Sequence, residues 1–73
     1  MNRPVRIGGH ALEAKRLAEA VRRDPDKFTA DQFRIAARIM FWAEREPKVL
    51  RRDAEIQGAL EGMHDLAVEN GLI

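Results

Sequence analysis

Prolines at positions 25 and 47 decide more than any other residues what this chain can fold into. Proline lacks a backbone N–H and disfavours helical geometry in the residue before it, so each one ends or restarts a helix. The stretches around them are rich in Ala, Leu, Glu and Arg, all strong helix formers. Val, Ile, Thr and the aromatics are too sparse and too irregularly spaced for strands. The expectation is an all-α fold: a small three-helix bundle with helices over about residues 10–23, 30–45 and 48–70. Residues 1–9 read as an irregular basic arm, because they contain Pro4 and the Gly8–Gly9 pair. Residues 10–73 then form one helical domain.

With 73 residues, the chain sits near the lower size limit for a core that folds without staples. It contains no cysteine, which removes disulfides and thiolate metal sites. Hydrophobic residues make up 45% and charged residues 34%, a balance that suits a folded chain rather than a disordered one.

Each segment carries local signals. In the first, Ala14, Leu17, Ala18 and Val21 fall at helical spacing with His10 on the same stripe, whereas Leu12 falls among Lys15, Arg16 and Glu19. Either the arm or another molecule is expected to cover Leu12. The second segment opens on Thr29-Ala30-Asp31-Gln32, a capping box with Thr29 as N-cap and Gln32 at N3. Phe28 precedes the cap as half of a hydrophobic staple against Phe33. The third segment starts near Pro47 or Lys48 and carries Val49, Ile56, Leu60, Met63 and Ala67 on one stripe, widened by Ala59 and Leu66. Gly71 suits the residue just beyond its end. The predicted core is Leu17, Val21, Phe33, Ala36, Ala37, Ile39, Met40, Val49, Ile56, Leu60 and Met63.

The second segment is the informative one. Phe33, Ile35, Ala36, Ala37, Ile39, Met40, Trp42 and Ala43 cover more than half its circumference at about 100° per residue. One neighbour cannot bury that arc. Two neighbours in a bundle, or a second copy of the chain, can. The remaining stripe is Arg34, Arg38 and Arg45, flanked by Phe41 and Trp42. Guanidinium groups beside aromatic rings serve both protein hot spots and nucleic-acid sites.

The net charge of +1 conceals an asymmetry. Residues 1–52 hold all 13 basic side chains against 7 acids, whereas residues 53–73 hold five acids and no base. Among those five, Glu61, Asp65 and Glu69 repeat at i, i+4 near a helix C-terminus, where they repel one another and oppose the helix dipole. Gly58 and Gly62 share that face, so another backbone could come close. A surface that breaks local rules this way is a candidate for a basic partner, or for the chain's own arginines.

The nucleophile inventory is poor: no serine, tyrosine or cysteine, and one threonine with a capping role. Glu61-x-x-His64 resembles half of a di-iron motif, but Glu61 lies opposite the apolar stripe and no second copy of the motif exists. No enzyme activity, metal, cofactor or small-molecule substrate is expected. No apolar run approaches the roughly 20 residues that span a bilayer, and the basic start is not followed by a signal-peptide core. A soluble, cytoplasmic protein with no membrane partner is therefore expected.

The function expected is a non-enzymatic protein–protein interaction module. It fits the class of small bacterial or phage-encoded regulators and inhibitors that bind stoichiometrically. The binding residues are Arg34, Arg38, Phe41, Trp42, Arg45, Glu61, Asp65 and Glu69, and the partner is a protein, a second copy forming a homodimer included. The alternative is nucleic-acid binding through the arginine stripe, Arg51, Arg52 and the arm's Arg3 and Arg6. Net charge near zero and the lack of Asn, Ser or Thr beside the arginines weigh against it.

Overall fold

The computed structural model describes residues 11–73. The arm at 1–9 and His10 lie outside the described residues. Within them the chain is all helical: α1 (Ala11–Arg23), a 3-10 turn (Pro25–Lys27), α2 (Ala30–Arg45), α3 (Lys48–Arg52) and α4 (Ala54–Glu69). The longest interface is that of α1 with α2, and α4 packs on both.

The helix boundaries follow from side-chain chemistry. Pro25 opens the 3-10 turn, and Phe28 returns the chain to extended geometry. The capping box then starts α2. Thr29 Oγ1 accepts from the Gln32 N–H at 3.0 Å, and Gln32 Oε1 accepts from the Thr29 N–H at 2.9 Å. Pro47 caps α3, so the second break also falls where the proline placed it. Gly71 takes φ 69 beyond the end of α4. The Leu72 N–H reaches Ala67 O and the Gly71 N–H reaches Val68 O, which closes a Schellman motif and lays Leu72 against the core.

The third segment departs from expectation. The single helix over 48–70 is interrupted at Asp53, so there are four α-helices rather than three. Asp53 is extended and its Oδ1 accepts from the N–H groups of Glu55 and Ile56, making it the N-cap of α4. The α3 end stays satisfied, because the Gln57 side chain donates to Leu50 O at 2.6 Å. The break rephases the short α3. Leu50, absent from the predicted core, is buried, while Val49 is only half-buried.

The core comprises Ala14, Leu17, Ala18, Ala20 and Val21 from α1, Ile35, Ala36 and Ile39 from α2, Leu50 from α3, and Ile56, Leu60, Met63 and Ala67 from α4. Seven predicted core residues are confirmed and Met40 packs on the edge as a half-buried neighbour. Three are not: Phe33 is 44% exposed, Ala37 is exposed and Val49 is half-buried. The wide apolar arc of α2 is buried along Ile35, Ala36 and Ile39 and half-buried at Met40, Trp42 and Ala43, which leaves its Phe33–Ala37 edge uncovered. No helix among the described residues is long and apolar enough to cross a membrane.

Candidate interaction surface

The arginine stripe is not free. Arg34 donates to Asp31 Oδ1 at 2.7 Å and to Glu55 Oε2 at 2.5 Å. Arg38 donates to Glu55 Oε1 and to Asp53 Oδ2, both at 2.5 Å. Two arginines and three carboxylates thus form one cluster joining α2 to the start of α4. Asp53 serves twice, with one oxygen capping α4 and the other holding Arg38.

The titration of the cluster follows from that geometry. The hydrogen bond from Arg34, then the one from Arg38, holds the Glu55 carboxyl below its ordinary value of 4.5. The hydrogen bond to Glu55 raises Arg34 in return, with Asp31 adding to it. Arg38 is raised too, mainly by Glu55.

The sequence anticipated that acidic residues of the third segment could meet these arginines, but through different residues. Glu61, Asp65 and Glu69 are exposed on α4 and make no ion pair among the described residues. No base lies in the last turn of α4 to offset them. Gly62 faces α2, where an added Cβ would meet Gln32 Nε2 at 3.5 Å, and Gly58 faces open space. No second backbone approaches either glycine within the fold.

Arg45 is held differently. Its guanidinium lies 4.0 Å over the centroid of the Phe41 ring, and its Nη1 donates to Phe41 O at 3.1 Å. Phe41 and Trp42 meet edge to face with centroids 4.9 Å apart. Trp42 is half-buried against the core, so it anchors Phe41 from below rather than offering a free ring.

What remains outward on α2 is an apolar stripe of Phe33, Ala37 and Phe41, at i, i+4 and i+8; the sequence had assigned Phe33 and Ala37 to the interior and only Phe41 to the surface. Phe41 is 47% exposed. Ala30 is exposed at one end of the helix, and Glu44 and Arg45 at the other. The signal available in the sequence was the arc itself. Eight apolar residues cover more of the helix surface than α1, α3 and α4 reach.

Further exposed cations lie at the end of α2 and beyond it. Arg45, Lys48, Arg51 and Arg52 make no ion pair among the described residues. The Arg23 side chain donates to Leu72 O at 3.3 Å. Arg16, Glu19, Arg23, Leu72 and Ile73 line a half-open groove there. Among the described residues no three His, Cys, Asp or Glu side chains gather closely enough to hold a metal ion. Searches against family models, curated proteins and solved structures found no match to this chain.

Proposed function

We propose that this protein is a non-enzymatic interaction module that binds another protein surface through the outward face of α2. The observation that carries the reading is the uncovered Phe33–Ala37–Phe41 stripe on a well-capped helix. Aromatic groups held rigidly at a surface bury a large area at little entropic cost, which is why they dominate protein hot spots. The Arg45–Phe41 stack adds a cation at the rim. Binding would be stoichiometric, as suits a small regulator or inhibitor, and the partner surface is expected to be apolar. Arg34 and Arg38 are already neutralised by their own carboxylates, so they offer little to a strongly acidic partner. The acidic ridge Glu61–Asp65–Glu69 is a second contact for a basic rim on that partner.

Nucleic-acid binding is the competing reading, and the exposed run Arg45, Lys48, Arg51 and Arg52 favours it. It loses Arg34 and Arg38 to ion pairs, and the whole chain carries only +1.

Tagged protein used to retrieve partners from a lysate, with and without nuclease, separates the two. A protein retained after nuclease by the wild type, and lost with the Phe33→Lys/Phe41→Lys double variant, supports the α2 reading. Recovery that collapses on nuclease treatment, or falls steeply with salt, transfers the function to the cationic run.

A further inference from the structure

We infer that the molecule covering the outward face of α2 is a second copy of this chain, packed antiparallel across a two-fold axis at Ala37. The inference rests on the α2 interaction surface proposed above and names its occupant.

Three observations point to a copy rather than an unrelated surface. The first is the symmetry of the stripe. Phe33 and Phe41 lie four residues either side of Ala37, about 6 Å along the axis in each direction. A two-fold interface must be self-complementary, each residue meeting its counterpart. Antiparallel pairing centred on Ala37 sets Phe33 of each copy beside Phe41 of the other, while the small alanine lets the helix axes close to roughly 8–10 Å. The same register brings Glu44 opposite Ala30 at the partner's helix N-terminus, where the dipole favours a carboxylate.

The second observation is charge. An arginine row meeting itself would repel, but Arg34 and Arg38 beside the stripe are closed onto Asp31, Asp53 and Glu55. With a net charge of +1, nothing keeps two copies apart at long range.

The third is area. At 44% and 47% exposure, each Phe leaves roughly 90 Å² uncovered, taking about 200 Å² for a whole Phe. With Ala30, Ala37, Met40 and Glu44 alongside, the face falls below the ~800 Å² per partner of a standard interface and within the range of weak, reversible ones. A dissociation constant of about 10 μM to 1 mM follows.

Sedimentation equilibrium of the full chain from about 10 μM to 1 mM tests this. The expected result is a mass rising from 8.3 kDa toward twice that value. Ala37 is exposed, so Ala37→Glu and Ala37→Lys should each retain the helical signal. Each alone sets like charges across the axis and is expected to weaken association at least tenfold. Mixed one to one, they are expected to restore a dimer, because only at a two-fold axis does a position meet itself. A wild type that stays at 8.3 kDa throughout overturns the inference. So does an Ala37→Glu variant that dimerises as well as the wild type, or a mixture that fails to associate. A monomeric wild type that still retains a protein through Phe33 and Phe41 overturns the second copy while leaving the interaction surface standing.

Discussion

Asp53 shows how much one side chain can decide. Its Oδ1 caps α4 and its Oδ2 holds Arg38, so the residue both breaks the third helical segment and ties the break to α2. Asp53→Ala is expected to destabilise the fold by about 1–2 kcal/mol, at the upper end of cap losses because an arginine is released as well. Thermal unfolding should show it as a Tm lower by roughly 4–15 °C for a chain of this size. Asp53→Asn keeps an oxygen for the cap and loses the charge for Arg38, so it should recover part of that loss. If Asp53→Ala unfolds at the wild-type temperature, the cap has no energetic role. Gly58 sits at the other extreme. It lies in the interior of α4 with nothing within 4 Å of an added Cβ, so Gly58→Ala is expected to stabilise by roughly 0.5–1 kcal/mol. A lower Tm in that variant would indicate that the open space is occupied by another molecule.

At the scale of the elements, α2 is joined to the start of α4 by ion pairs on the surface and by apolar contact below. The ion pairs are about half exposed and therefore screened, so salt should weaken them. Their pH dependence has a definite sign. The folded-state pKa of Glu55 is depressed, so its contribution is fully present above the unfolded value of 4.5 and disappears as pH falls through the lower folded value. Denaturant unfolding of wild type and Glu55→Gln at successive pH values should show wild type the more stable above pH 4.5, with the difference shrinking as pH falls below that value. A constant difference across that range would mean that Glu55 does not act through its charge. The acidic ridge of α4 carries the opposite expectation. Converting Glu61, Asp65 and Glu69 to lysine keeps a row of like charges but turns its sign to suit the helix dipole, so the variant should be more stable by roughly 0.3–1 kcal/mol at low salt, mainly through position 69 in the last turn. If the triple variant is more stable yet loses its partner, the ridge is retained for binding rather than for folding.

For the whole molecule, stability rests on one small core shared by all four helices. Leu17 and Ile39 are fully buried, and truncating either to alanine should cost about 2–5 kcal/mol. For a domain this small that approaches the entire stability, so urea unfolding of Leu17→Ala should show a largely unfolded chain. Phe33→Ala removes a ring that lies nearly half outside, and its effect on the monomer should stay within about 1 kcal/mol. A large loss of stability on Phe33→Ala at high concentration, and a small one at low concentration, would tie that ring to self-association.

The local helix signals were legible in the sequence because they are local. Pro25, Pro47, the Thr29–Gln32 box and Gly71 act within a few residues of themselves, and the structure uses each where the sequence placed it. The break at Asp53 was harder to read, since Ile56 stands where a capping box would carry Glu or Gln, and the apolar spacing runs on past it. Of the candidate residues, Phe41 and Arg45 were paired in the sequence pattern and are in contact in the structure, whereas Arg34 and Arg38 were given a free surface they do not have. Their carboxylate partners lie 15 to 21 residues away for Asp53 and Glu55, and sequence spacing says nothing about pairs brought together by helix packing. The same holds for Phe33 and Ala37. Periodicity established that α2 has a wide apolar arc. Which part of the arc its neighbours reach depends on how α1, α3 and α4 lean against it, and the tertiary structure alone decided that Phe33 and Ala37 face outward beside Phe41.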